Sequence, residues 1–343
     1  MNSNDRNVQN VSVINAQILE SLRNDDTAVF EKKAQASATN YTRIQIREDS
    51  FAFKILPPEK ATSDMLRYDL TEDLAVVWER EPDSPAARWV PLQTVPEGEY
   101  IKSSRYIIPF ARVLTPDFRK DIAELLTTKQ DIRKILTDNS IKDGLAEIDS
   151  KFIRTVNSIV FDSDGPGKAN HVSGKVQWMD FRDPLNRQTF AEATKMLPSG
   201  NAEGKFVARN YCALMNEITA RDLLKLERPA VGGDKAQDFF LNGLTTDTIM
   251  GIKCLFTIKN HLVPTNYIYF FAEPDFLGKC FYLDDWTMFV KKEAYFISMF
   301  SYWMGGFAFG NTAGMALARF NVDGDADNSN DYPYPDWSND SVN

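Results

Sequence analysis

Residues 1–40 are polar and weakly patterned. Val11, Val13, Ile14, Ile18 and Leu19 are spaced for at most one short amphipathic helix, so the stretch reads as an arm. From Tyr41 the pattern changes to strict alternation, Thr42, Ile44 and Ile46 against Arg43, Gln45 and Arg47, which predicts a half-buried strand. Prolines at 57, 58, 82, 85, 91 and 96 then bracket a strand-like run at 74–78 (LAVVW). Proline fixes φ and lacks an N–H, so this density disfavours helix and predicts a long extended hairpin with a charged tip at 79–88. A second strand returns at 106–114 (YIIPFARVL).

Thr115-Pro116-Asp117 sets an N-cap hydroxyl, a first-turn proline and a first-turn acid in order, and predicts a helix from Pro116. Apolar residues at 118, 122, 125, 126, 132, 135, 136, 141, 145, 148, 152, 156, 159 and 160 keep a helical stripe, with breaks expected near Asn139 and Gly144. A helix of that length runs along a sheet or a neighbouring subunit, and Arg119, Lys120, Asp121, Lys129 and Arg133 charge its exposed side. Beyond a Gly-rich turn at 163–168, helical patterns fall at 187–196, 208–226 and 234–241. From 247 the pattern is β again: IMGIKCLFTI, NYIYFFAEP, CFYL and TMFV. The fold class is α+β.

Residues 294–318 carry no charge and include Gly306, Gly310 and Gly314 at helical spacing, which is long enough to cross a bilayer. Ser298, Ser301 and the Asn311-Thr312 pair divide the segment into two apolar runs around a turn, so a membrane anchor is the weaker reading. The 343 residues are 43% hydrophobic and 25% charged, with 17 Gly and 16 Pro, which excludes collagen, coiled-coil and wholly disordered chains and suits roughly two domains. Of the net charge of -9, most is carried by Asp323, Asp325, Asp327, Asp331, Asp336 and Asp340 in an acidic tail. The nearly neutral remainder has no footprint for wrapping nucleic acid. Cys212, Cys254 and Cys280 have neither zinc-site nor disulfide spacing and are expected to be reduced and buried. The polar N-terminus lacks a signal-peptide pattern, which suggests synthesis and assembly in a cytoplasm.

Candidate chemistry is sparse. Asp323, Asp325 and Asp327 match the first spacings of a calcium loop, but Asn328 and Tyr334 stand where the turn glycine and the bidentate glutamate belong. Gly167-Lys168 and Gly174-Lys175 lack the upstream glycine and the following hydroxyl of a phosphate loop. His171 and His261 sit in no catalytic motif, and Asp284 and Asp285, adjacent on a strand, point to opposite faces. No enzyme activity, cofactor or metal is expected.

Three stretches carry a resemblance: EGEYIKSSRYIIPFARVLTPDFRKDIAELL (97–126), AEPDFLGKCFYLDDWTMFVKKE (272–293) and SYWMGGFAFGNTAGMALARFNV (301–322). Read in order, the chain resembles the major capsid protein of tailed bacteriophages, the Hong Kong 97-type shell fold also found in encapsulins. The resemblance implies an N-terminal arm (1–40), an extended β-hairpin loop (41–110) and a peripheral domain with a spine helix (111–186). An axial domain (187–292), return strands of the peripheral domain (293–322) and the acidic tail (323–343) follow. It implies a virion protein that self-assembles through hexamers and pentamers into an icosahedral head around double-stranded DNA, without sequence-specific binding and without a membrane. Portal, scaffolding and decoration proteins are the other partners it implies. An encapsulin-type compartment shell is the alternative. Arg80, Glu81, Arg88 and Trp89 on the hairpin, with Arg119 and Lys120 after it, are the expected assembly interface.

Overall fold

The computed structural model describes residues 48–68, 74–82, 89, 92, 98, 104–121, 132–162, 177–197, 209–222, 248–293 and 295–321. The expectations for the arm, the strand at 41–47, Arg88, the Gly-rich turn, His171, both glycine-lysine pairs, the helix at 234–241 and the acidic tail lie outside them.

Three sheets form the scaffold. A five-stranded sheet holds β1 (Pro58–Lys60), β12 (Gly278–Glu293), β13 (Phe296–Phe309) and β5 (Ala111–Leu114) in that order, with β6 (Phe118–Asp121) also paired to β13. A six-stranded sheet has the order β7 (Trp178–Asp180), β14 (Met315–Arg319), β11 (Tyr267–Phe271), β8 (Cys212–Asn216), β10 (Ile252–Thr257), β9 (Thr248–Ile249). A three-stranded sheet joins β2 (Leu66–Tyr68), β3 (Leu74–Arg80) and β4 (Ser104–Pro109). The helices are α1 (Ala52–Ile55), α2 (Ile132–Asp162), α3 (Arg187–Ala193), α4 (Glu217–Asp222) and α5 (Pro274–Leu277).

The long helix α2 covers one face of the six-stranded sheet. Its stripe of Ile148, Phe152, Ile153, Val156 and Val160 is buried with Leu214, Tyr269, Phe271 and Leu317. Alternate residues of the same strands, Ala213, Met215, Ile268, Phe270, Ala316 and Ala318, pack on the other face with Phe190 and Leu197. Strands buried on both faces lose polar alternation and read as unbroken apolar runs. That corrects the expected helix at 208–226: residues 212–216 are the fully buried strand β8, and among the described residues the helical part is α4 beyond it.

The expected start of the long helix is corrected as well. Residues 118–121 are β6, paired in register with Phe296 to Met299 of β13, so the chain is not helical there; residues 122–131 lie outside the described residues, and α2 is described over Ile132–Asp162. Thr115 does not cap a helix. Its hydroxyl accepts from the Ser301 N–H at 2.8 Å and its own N–H donates to the Ser301 carbonyl at 2.9 Å, holding the corner between β5 and β6 on β13. Pro116, without an N–H, separates the two short strands. Local capping signals thus yield to a long-range ladder.

The uncharged segment 294–318 forms β13 and β14, which belong to different sheets and are linked through a short turn at Thr312–Gly314. Among the described residues no helix is long and apolar enough to cross a membrane. β12 and β13 pair from Gly278↔Phe309 to Glu293↔Phe296, so the division expected at 292/293 falls inside one hairpin. Cys212, Cys254 and Cys280 are all buried and none is in a disulfide. Burial pushes the Cys212 and Cys280 thiols up to about 12.

Candidate assembly surface

The projecting element is the hairpin of β3 and β4, paired from Ala75↔Pro109 to Arg80↔Ser104. Its root is locked to the body. Val76 and Ile108 are fully buried together with Phe281 of β12, and the Trp78 ring lies 5.4 Å from that of Phe281. Lys279 sits 5.9 Å over the Trp78 ring and bonds Glu59 at 3.1 Å and Asp275 at 3.0 Å. Desolvation opposes its charge, but the two carboxylates more than offset this and hold its pKa above the ordinary value. Gly306 and Gly310 let the root seat closely: a Cβ at Gly306 would lie 2.0 Å from the Pro109 carbonyl oxygen, and one at Gly310 would lie 2.7 Å from the Tyr106 ring.

The expected interface residues separate into different roles. Arg80 donates to the Gly310 carbonyl within the same chain, so it fixes the root. Glu81 is exposed just beyond it, Trp89 and Leu92 are fully exposed, and Arg88 lies outside the described residues. Arg119 and Lys120 lie on β6, opposite Ser298 and Ile297, and alternation turns them to opposite faces of the sheet. Arg119 pairs with Asp117 at 2.9 Å on the outer face. Lys120 shares the face of Ile297, which is buried.

Sequence reasoning missed the outer face of the five-stranded sheet. Leu114 lies opposite Tyr302, and Phe289 lies opposite Phe300 with the rings 5.3 Å apart. Leu114, Phe289 and Phe296 are each about half exposed, and Arg112 stands 5.9 Å over the Tyr302 ring. An apolar, aromatic stripe of this kind on a solvent face is a mark of protein contact. The signal was present as the even-numbered aromatics of β13, but it emerges only once β12, β13, β5 and β6 are known to share a sheet.

Two further features adjoin α2. A cleft of about 460 Å³ lies between β5, α2 and β13, with Val113, Leu114, Ile148, Lys151, Trp303 and Phe307 on its walls. Elsewhere on the helix, Asp149 is completely buried and accepts from Lys259 at 2.5 Å, the Ser50 hydroxyl at 2.6 Å and the Ala52 N–H at 3.0 Å. Glu48 accepts from the Thr257 hydroxyl at 2.8 Å and from the Ile258 N–H at 3.0 Å. These bonds anchor the chain where the arm enters the body.

No protein-family model matches the sequence, and no curated protein matches it either. Solved structures do match. The capsid structure of the cyanophage P-SCSP1u superposes with a TM-score of 0.57 at 9% identity, over 85% of this chain and 95% of that one. The mature capsid of bacteriophage PhiM1 gives 0.55 at 7% identity, over 83% and 92%. The capsid of cyanophage Pam1 gives 0.55 at 11% identity, over 84% and 96%. At such identities the likeness is one of fold: this chain has the fold of bacteriophage capsid proteins. It spans nearly the full length of each of them.

Proposed function

We propose that the chain is the major capsid protein of a tailed double-stranded DNA bacteriophage, with the Hong Kong 97-type arrangement, assembling into an icosahedral head. The observation that carries the reading is the whole-chain likeness to phage capsid structures, covering 85% of this chain and 95% of its counterpart. The surface supports it. The hairpin has a locked root, and Trp89 and Leu92, among the few described residues between its strands, are fully exposed. A subunit that must bury such a tip needs a neighbour, and repeated self-contact around a closed shell sums many weak interfaces. In this reading Trp89, Glu81 and Arg88 of one subunit lie over the next, Arg119 belongs to the receiving face, and Arg80 and Lys120 act from within the subunit. Portal, scaffolding and decoration proteins complete the head, and the nearly neutral body contains DNA without gripping it.

The test is electron microscopy of the purified chain after size-exclusion chromatography, alone and with scaffolding factors from the same genome. Closed icosahedral particles are expected. A monodisperse monomer or dimer under both conditions overturns the proposal, and closed particles that load a cargo enzyme instead of DNA assign the chain to an encapsulin-type compartment.

A further inference from the structure

A cleft with aromatic walls and two cations at its mouth borders α2, and the acidic tail of the same chain carries rings and carboxylates of the kind that would fill it. We propose that the tail segment 331–337 (DYPYPDW) docks in the cleft between β5, α2 and β13 of its own subunit, with Trp337 inside and Asp336 beside Lys151 and Arg112. The inference concerns the single subunit and goes beyond the shell reading without resting on it.

The cleft comes first. Its volume of about 460 Å³ is within the range of pockets that hold small ligands and side chains. Its walls are braced from behind: the Trp303 ring lies 5.7 Å from that of Phe53 and 6.5 Å from that of Trp286, and the Phe307 ring lies 5.6 Å from that of Phe152. Val113 and Ile148 complete the apolar lining. Charge sits at the mouth. Lys151 stands 5.9 Å over the Phe307 ring and Arg112 5.9 Å over the Tyr302 ring, and among the described residues neither cation has a carboxylate partner. Glu147, one turn before Lys151 on the same face of α2, is the acid of the lining. Such a lining takes a ring inside, a carboxylate between the two cations and an N–H donor for Glu147, which the indole of a tryptophan supplies.

The tail matches that chemistry. From 322 to 343 it has six Asp and no Lys or Arg, yet Tyr332, Tyr334 and Trp337 stand close together in it. Large rings in an otherwise polar, acidic stretch gain free energy only by burial against a partner. Pro333 and Pro335 lack N–H groups, which disfavours a ladder with β5, and they preset the extended backbone that docks aromatic-lined grooves at low entropic cost. Reach decides the copy. The Asn321 N–H donates to the Asp183 carbonyl at 3.1 Å, and Arg319 lies 5.0 Å over the Trp178 ring, itself 6.2 Å from the ring of Phe161 on α2. The tail therefore leaves the body beside the C-terminal end of α2. From Phe161 back to Lys151 is about 15 Å of helix, whereas residues 322–336 extend to as much as about 50 Å. The cleft of the same subunit is within reach, and the covalent tether raises the effective concentration of the segment there above that of any neighbour's.

The experiment places p-benzoylphenylalanine at position 337 of the full-length chain, in an equal mixture of ¹⁴N- and ¹⁵N-labelled subunits. After irradiation the captured peptides are mapped by mass spectrometry. Capture of 111–114, 147–151 or 303–307 within subunits of one isotope is expected. Capture of the same peptides in mixed-isotope pairs overturns the assignment to the same subunit, and capture confined to other peptides, or none, overturns the docking. Arg112→Glu combined with Lys151→Glu is expected to cut capture at least fivefold, and Asp336→Lys added to that pair to restore most of it, which a misfolded subunit would not allow. Lys195→Glu, exposed beyond α3 on the opposite face of the six-stranded sheet, is expected to leave capture unchanged. Capture undiminished by the double reversal, or not restored by Asp336→Lys, overturns the contact of Asp336 with the two cations. None of these outcomes depends on closed particles, so the shell reading stands or falls separately.

Discussion

Met250 and Gly251 form the two-residue turn between β9 and β10, with φ of 51° and 81°. A turn with both central residues at positive φ matches the twist of a hairpin and favours Asn-Gly, because Asn tolerates that region while an unbranched apolar side chain is strained there. Met250→Asn is expected to stabilise the folded subunit by about 0.5–1 kcal/mol, read as a higher midpoint in urea denaturation. Asp149 is the opposite case. Removing one partner of a buried ion pair leaves the other charge uncompensated, so Asp149→Ala is expected to cost about 3–5 kcal/mol by the same measurement. The cysteines set an alkaline limit. Cys212 and Cys280 titrate near 9 when unfolded and are pushed up to about 12 by burial, so above pH 9 the unfolded chain holds fewer protons than the folded one. Stability is complete below pH 9 and falls as pH rises toward 12, by up to about 1.4 kcal/mol per pH unit for each thiol. Denaturation midpoints measured from pH 8 to 11 check the slope.

Among the elements, α2 meets the hairpin of β12 and β13 at a notch. Register shifts between Tyr282 and Thr287 mark a bulge in β12, and the Trp286 ring it delivers packs against Gly144, where a Cβ would lie 1.9 Å from the ring. Trp303 stacks behind that ring at 6.5 Å, so it has little room to retreat. Gly144→Ala is expected to destabilise the subunit despite a gain in helix propensity of about 1 kcal/mol, and Trp286→Ala in the same chain to reverse the sign of that change. A double-mutant cycle by thermal denaturation measures the coupling. The elements also differ in how plainly they were written in the chain. β3 and α3 were legible because alternation or periodicity matched their environment, whereas the single strand expected at 106–114 is two, β4 and β5, which part at Phe110 into different sheets. The breaks expected near Asn139 and Gly144 do not occur: α2 runs unbroken from Ile132 to Asp162, and Gly144 serves to seat the Trp286 ring, which nothing local announces. β6 and β8 were illegible for related reasons: a helix-start motif was redirected to a ladder with β13, and burial on both faces erased the alternation of 212–216.

At the scale of the whole molecule, order and texture carried more than any motif. The succession of arm, proline-rich hairpin, long helix and closing strands pointed to the capsid fold, while the apolar outer face of the five-stranded sheet stayed hidden because its residues come from 112–121 and 287–302. Trp89→Ser separates folding from assembly. A fully exposed residue contributes little to subunit stability, so the denaturation midpoint is expected to move by less than about 0.5 kcal/mol while the yield of closed particles collapses. Analytical ultracentrifugation beside urea denaturation reads both.

The place of β14 also determines when a subunit becomes usable. Met315–Arg319 sits between β7 and β11 in the middle of the six-stranded sheet, so both neighbours lack a partner until residue 319 has left the ribosome. The strands β3 and β4 can pair locally, but their root is locked only when β12 and β13 have been made, and the central sheet closes later still, at the last strand. On the shell reading proposed above, a chain cut short of residue 319 has no closed central sheet with which to enter a particle.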